Sequence, residues 1–464
     1  MQHKKSNYRI FLFLVIMLPN IIWLLSRFWF EIDRPLFIYE YLFVFLLMSF
    51  RIHYFYSWAL FVLVFFVDLA TIFSKLYLFS LSDFLKSFKY LFNYSININQ
   101  LTLVLILFFG LIGLFYLFRF IKIKIGNDKP LIYFFLFIFT FTLTLDTING
   151  SSFLMSYNFN TNFYKGNFAG ASTQTIYNLI TVDNFSANEP ISNPLNKKSI
   201  TFKQFAIDTT NSQLLIIVES MGLIDDTIKR KAYQQSISDI FNQKHWKTSW
   251  GKVQFTGSTT SAELRELLNC TGSYQYFINQ KFANNINSIF RIKNKQGFHT
   301  NAIHSYKGDM FQRNKWWENI GIEDVYFREN IQALYNYELK LNYGNSFISL
   351  NDEDAFNFIQ AKATKEGKQF SYLLTVNSHL PFMSNVEKPI SSNLFDIDNE
   401  MNLSAEAKNQ HKKISNFLIY VASHLDSSKF QSILIVGDHM PPFVKNKDRE
   451  FYNNKFVPYC IVTK

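Results

Sequence analysis

The chain has 464 residues, room for two domains that each bury a core of their own. Its net charge of +11 is spread over both parts: residues 1–150 hold 13 Lys and Arg against 7 Asp and Glu, and the rest carries the remaining excess. No basic block or arginine stripe occurs after residue 150, which argues against nucleic-acid binding and leaves anionic lipid head groups as the natural use of the charge.

From Met1 to about Gly150 the sequence is dominated by Phe, Leu and Ile. A spanning helix needs ~20 mostly apolar residues. Five runs qualify, roughly 10–29, 35–50, 54–74, 101–121 and 131–149, the second being the shortest. The first is not a cleaved signal peptide, because further spans follow and no small-residue cleavage site closes it. Lys4, Lys5 and Arg9, then Arg51, then Arg119, Lys122, Lys124 and Lys129 fall on one side of a five-span arrangement, and the positive-inside rule makes that side cytoplasmic. Arg27, Arg34, Lys75, Lys86 and Lys89 on the other side are partly offset by Glu31, Asp33 and Asp83. An odd number of spans places everything after Gly150 outside the cell membrane. Glu40 and Asp68 fall within spans, where a carboxylate is either functional or reaches the interface or a neighbouring helix.

Residues 151–200 are rich in Asn, Ser and Thr with scattered aromatics, and read as a linker with short helices on the membrane surface. From Thr201 to Lys464, strand-length apolar runs alternate with helical patterns, which predicts an α/β domain with a mainly parallel sheet. Four runs matter most. Leu214–Val218 leads into Glu219, His299–Ile303 into His304, Tyr372–Val376 into Asn377-Ser378-His379, and Ile433–Val436 into Gly437-Asp438-His439. Continuous apolar runs suit strands buried on both faces, and open α/β sheets bind ligands at the carboxyl ends of their strands. A single such histidine is more often structural; four strands delivering such groups to one edge mark a site.

Glu219, Asp438 and His439 offer two oxygens and one nitrogen, a mix suited to one divalent cation, Mn2+ or Zn2+. The two cysteines, Cys270 and Cys460, are too few for a cysteine-built zinc site; they form either one disulfide or two separately buried small side chains. The hydroxyl cluster Thr256-Gly257-Ser258-Thr259-Thr260-Ser261 ends where a helical pattern begins. A helix N-terminus binds phosphate, and a metal-activated hydroxyl there could attack phosphorus. The same residues also serve as ordinary N-caps.

With these residues in order, the chain resembles the membrane-anchored lipoteichoic acid synthase and phosphoglycerol transferase group of the alkaline phosphatase and sulfatase superfamily, with phosphoethanolamine transferases as close relatives. Those enzymes are similar in having five spans before an external α/β domain. The resemblance implies that Glu219, Asp438, His439 and a threonine nucleophile hold the metal. The nucleophile's Gly-x-Thr-Ser-x-x-Glu context best matches Thr259, between Gly257 and Glu263, with Thr260 as the alternative. Phe311-Gln312-Arg313 resembles the group's phosphate-contacting aromatic-x-Arg pair, and His379-Leu380-Pro381-Phe382 its substrate histidine; His304 resembles a further active-site histidine. The implied reaction is ping-pong. Thr259 takes a phospho-head group from a membrane phospholipid, diacylglycerol leaves, and an envelope glycan or lipid accepts the group. Arg313, His379 and His304 are expected to neutralise the phosphoryl oxygens.

Two cysteines cannot supply the several disulfides of phosphoethanolamine transferases, and Met440-Pro441-Pro442-Phe443 replaces their usual Gly-Glu after the Asp-His pair. Both departures favour the phosphoglycerol side. A sulfatase would need a Cys or Ser in a Cys-x-Pro-x-Arg context, whereas Cys270 is followed by Thr271-Gly272-Ser273-Tyr274. A phosphatase, or a lipid-binding protein without turnover, stand as further alternatives.

Overall fold

The computed structural model describes residues 18, 37–50, 52–76, 98–125, 129–148, 169–170, 199–255, 257–335, 349–363, 367–379, 396–400, 402–443 and 445–464. The chain divides into two compact units, Met1–Asn184 and Phe185–Lys464.

In the first unit, helices α1 (Tyr39–Ser49), α2 (Tyr54–Leu76), α3 (Ile98–Ile125) and α4 (Lys129–Ile148) occupy the second to fifth apolar runs. The first run lies outside the described residues except for Leu18, as does most of 151–200. Tyr41, Phe45, Phe61, Phe118 and Phe135 form a shared buried cluster, with the Phe61 ring 5.2 Å from both Tyr41 and Phe118. Asp68 is buried and accepts a 3.2 Å hydrogen bond from the Tyr41 hydroxyl, a partner on the neighbouring helix. Among the described residues, no helix is long and apolar enough to cross a membrane.

The second unit is built on a seven-stranded sheet: β1 (Gln213–Val218), β2 (Lys247–Gln254), β3 (Phe298–His304), β4 (Asp324–Phe327), β5 (Lys368–Leu374), β6 (Ser432–Gly437) and β7 (Phe456–Thr463). The spatial order is β2-β7-β6-β1-β5-β3-β4. Only β7 runs against the rest, antiparallel to both β6 and β2, so β2 points the same way as the parallel strands. The four runs singled out in the sequence are the adjacent strands β6, β1, β5 and β3. β1 and β6 are buried along their whole length. Each fully buried Leu, Ile or Val side chain contributes ~1.5–3 kcal/mol, so these two strands hold the register of the edge they end on. Val218 pairs with Gly437, Ile217 with Leu374, and His304 with Leu374, which brings the four strand ends level.

Helices cover the sheet. α5 (Ile200–Phe205), α6 (Thr227–Gln243) and α11 (Ala405–His424) start on Ser199, Asp226 and Ser404, whose side chains accept from first-turn N–H groups. Between them lie α7 (Thr259–Leu268), α8 (Ile289–Lys295), the single turn α9 (Arg313–Trp316) and α10 (Asp352–Lys362). Cys270 and Cys460 are free and buried, and burial pushes the Cys270 thiol up to about 12. Of the two readings of this pair, the separate one describes the fold.

Candidate active site

Glu219 leaves the end of β1, and Asp438 and His439 leave the end of β6 beside it. The three are buried, and their candidate ligand atoms lie within 4.8 Å of one another. Ser220 holds the two strand ends together. Its N–H donates to Asp438 Oδ1 at 2.7 Å, its hydroxyl to Glu219 Oε1 at 3.0 Å, and its carbonyl accepts from Gln410 Nε2 of α11 at 2.7 Å. To do so Ser220 adopts φ 55°, a left-handed conformation that costs a non-glycine residue ~1–3 kcal/mol and is tolerated where its surroundings fix it. Gly437 is required by close approach: a Cβ there would lie 2.1 Å from the Met221 carbonyl oxygen.

The donor set fits a cation. His439 turns Nδ1 to the Met440 carbonyl at 2.8 Å, which directs Nε2 at Asp438 Oδ2 (3.3 Å) and Glu219 Oε1 (3.5 Å). Asp438 Oδ2 is buried and accepts no hydrogen bond among the described residues. Burial, and then the Glu219 charge beside it, push the Asp438 carboxyl well above the usual carboxylate range. Two buried carboxylates and an imidazole nitrogen converging on one point are what a divalent ion requires. The same cluster offers nothing that selects Mn2+ over Zn2+.

Thr259 is the first residue of α7, which begins just beyond the end of β2, at the edge where β1, β3, β5 and β6 also end. Its hydroxyl donates to Glu219 Oε2 at 2.9 Å. Thr260 instead lies 3.3 Å from the Ser258 hydroxyl. Ser258 stands at the N-cap position, but among the described residues its side chain makes no capping bond. Arg265, further along α7, donates to the Gly437 carbonyl at 3.0 Å and ties the helix to the β6 end.

Arg313 follows two consecutive left-handed residues, Phe311 and Gln312, both at φ 54°. Its guanidinium is buried and donates to Glu263 through Nε (3.1 Å to each oxygen) and Nη2 (2.8 Å), with Cζ 5.2 Å from the Phe311 ring centroid. His304, at the end of β3, places Nδ1 3.3 Å from the Leu374 carbonyl and Nε2 3.4 Å from Arg313 Nη1. Burial, with the Arg313 charge adding to it, lowers its pKa well below the usual histidine value, so the ring is neutral and accepts from Arg313. His379 is half-buried beyond β5, its backbone N–H donating to the Val376 carbonyl at 3.0 Å; burial alone would raise the Glu219 pKa, and His379 and His439 nearby, with the Thr259 and Ser220 hydrogen bonds, lower it instead. The Leu380-Pro381-Phe382 continuation lies outside the described residues.

The structure thus gathers Glu219, Thr259, Asp438 and His439 into one cluster, with His379 at its rim. It gathers Phe311, Arg313 and His304 into a second group centred on Glu263. Several supporting residues carried no sequence signal: Ser220, Arg265, Gln410 and Asp352. Asp352, at the start of α10, accepts from the Ser305 hydroxyl (2.9 Å) and from the N–H groups of Val376 (3.0 Å) and Asn377 (2.8 Å), joining the loops that follow β3 and β5.

A family profile described as "Sulfatase" matches residues 214–456, just over half of the chain. No curated protein matches. Among solved structures, the lipoteichoic acid synthase LtaP from Listeria monocytogenes is 15% identical, with 61% of this chain and 71% of that chain covered at a TM-score of 0.39. The Streptococcus pyogenes phosphoglycerol transferase GacH, in complex with sn-glycerol-1-phosphate, is 16% identical over 61% and 72%, at 0.35. The lipooligosaccharide phosphoethanolamine transferase EptA from Neisseria meningitidis is 10% identical over 77% and 62%, at 0.37. Likenesses of this degree carry no information about substrate.

Proposed function

The chain belongs to the sulfatase family, and we propose that within it this protein is a membrane-anchored, metal-dependent phosphotransferase. In this reading Thr259 receives a phospho-head group, phosphoglycerol in preference, from a membrane phospholipid and passes it to a cell-envelope glycan or lipid. The observation that carries it is the Thr259 hydroxyl bonded to Glu219 inside the Glu219, Asp438 and His439 cluster. A sulfatase needs an oxidisable Cys or Ser as nucleophile; the residue standing here is a threonine.

Glu219, Asp438 and His439, together with Thr259, would hold a divalent cation, which would supply positive charge favouring an ionised nucleophile and a phosphoryl transition state. The chain's own residues do the rest. Glu219 orients the Thr259 hydroxyl through their hydrogen bond and takes its proton as Oγ1 attacks. Thr259 Oγ1 forms a bond to phosphorus as the bond from phosphorus to the diacylglycerol oxygen breaks. The leaving oxygen gains a proton, and in this reading His379, half-buried at the rim, delivers it. The acceptor hydroxyl then attacks phosphorus, returning its proton to the same histidine, and the bond from phosphorus to Oγ1 breaks as Thr259 regains its proton from Glu219. In this reading Arg313, whose guanidinium senses the Glu219 charge, faces the phosphoryl group, and the N-terminus of α7, not capped by the Ser258 side chain, favours negative charge there.

The anchor is read from the five apolar runs and their Lys and Arg distribution, which place the domain outside the cell membrane, on the side where envelope glycans are displayed. A surface-bound site suits a donor that never leaves the bilayer. Phosphoethanolamine transfer is the second reading, since it uses the same machinery; the two-cysteine count stands against it.

Purified full-length protein would be incubated with vesicles of phosphatidylglycerol or phosphatidylethanolamine, with Mn2+ or with EDTA. Metal-dependent diacylglycerol release, faster from phosphatidylglycerol, is expected. Release from phosphatidylethanolamine alone would select the second reading, and release from neither would refute the transferase.

A further inference from the structure

Glu263 is fully buried, 0% exposed, and stands four residues beyond Thr259, on the same face of α7. Its carboxylate gathers donors from two other parts of the fold: Arg313 Nε and Nη2, Trp317 Nε1 at 3.0 Å, and the Tyr372 hydroxyl of β5 at 3.4 Å. Arg313 is 1% exposed. Of the five guanidinium N–H groups, one on Nε and one on Nη2 go to Glu263, and Nη1 serves His304 Nε2 and the Met310 carbonyl. One Nη2 hydrogen is left over among the described residues. The guanidinium still senses the cluster, because the Glu219 charge adds to those that hold it protonated.

Arg313 is therefore neutralised by its own carboxylate, and its value to a phosphoryl group is the direction of one N–H, not net charge. Direction is set by whatever clamps the guanidinium. We propose that Glu263 is a positioning residue: it locks Arg313 to the helix that carries Thr259, so that nucleophile and guanidinium meet the phosphoryl group as one rigid unit. His304 acts in the same way, as a neutral acceptor behind Arg313. This inference rests on the phosphotransferase reading for its substrate, and it differs from the sequence expectation, in which His304 meets the phosphoryl oxygens directly.

Charge and position can be separated. Glu263→Asp keeps the counter-charge but draws the carboxylate back by one methylene, and a misplacement of about 1 Å can cost about 100-fold in a preorganised site. The measurement is calorimetric binding of inorganic phosphate to the Mn2+-loaded full-length protein, alongside thermal unfolding. Glu263→Asp should weaken phosphate about tenfold or more, Arg313→Ala similarly, and the double variant no further than Arg313→Ala alone. Should Glu263→Gln, which removes the counter-charge, fail to fold, the aspartate arms decide. Additive losses in the double variant would overturn the proposal, because Glu263 would then act independently of Arg313. A folded Glu263→Asp protein that binds phosphate within about twofold of wild type would overturn it too. Wild-type protein that binds phosphate yet moves no head group would sink the transferase reading and leave the Glu263 result standing; wild-type protein that binds no phosphate would sink both.

Discussion

The Thr259 hydroxyl donates a 2.9 Å hydrogen bond to Glu219 Oε2, while Thr260, one residue on, lies 3.3 Å from the Ser258 hydroxyl. One helical position turns the side chain by about 100° around α7. Thr259→Ala should lower diacylglycerol release by about 10³-fold or more, whereas Thr260→Ala should cost less than about tenfold. Steady-state release from phosphatidylglycerol vesicles checks both, and the reverse ranking would move the nucleophile to Thr260.

Burial, and then repulsion from Glu219, raise the Asp438 pKa. In metal-stripped protein, Asp438→Asn removes that repulsion and should raise the unfolding temperature. Added Mn2+ or Zn2+ should stabilise wild type, by about 2.7 kcal/mol at a hundredfold excess over Kd, and Asp438→Asn should lose most of that gain. Thermal unfolding with and without metal measures both effects. A variant that kept the full metal shift would remove Asp438 from the ligand set.

Gly437 sits where a Cβ would lie 2.1 Å from the Met221 carbonyl oxygen. The clash is with backbone, so Gly437→Ala must displace the strand end that carries Asp438 and His439. Supporting contacts of this kind are worth about 10–100-fold in metal affinity. Titration of the stripped variant with Mn2+ should show such a loss; unchanged affinity would mean that the strand end tolerates the shift.

Burial, with Glu353 beside it, pushes the Asp352 carboxyl up to about 7 from 3.8. The folded protein therefore holds a proton that the unfolded chain releases near pH 4, so this group's contribution to stability falls as pH rises from about 4 to about 7 and is level above that. The full effect is at most roughly 4 kcal/mol. Asp352→Asn should lack this slope. Denaturant unfolding of both proteins at pH 5 and pH 8 tests it: the stability of wild type relative to the variant should drop at the higher pH, and a rise would reverse the assignment.

β1 and β6 were legible because each is a nearly continuous apolar run ended abruptly by an acid or an Asp-His pair, a pattern that burial on both faces imposes; β3 and β5 mix polar residues into their runs and were legible chiefly by the histidines beyond them. Glu219, Asp438 and His439 were legible for the same reason. The edge strand β2, Lys-Thr-Ser-Trp-Gly-Lys-Val-Gln, carries no such run, because only part of it is buried. The pairing of Glu263 with Arg313 spans 50 residues of chain, and nothing in either local pattern announces it. Gln410 and Asp352 are likewise ordinary surface-type residues until the fold buries them. His304 was legible as a strand-end histidine, but its neutral state follows from Arg313 and the Leu374 carbonyl, which only tertiary structure brings to it.

The most direct test of the phosphothreonine pathway is the intact mass of the full-length protein after incubation with metal and phosphatidylglycerol vesicles, without acceptor. A gain equal to one glycerophosphoryl group, present in wild type and Thr260→Ala and absent in Thr259→Ala, is the expected result. The same gain in Thr259→Ala would contradict it.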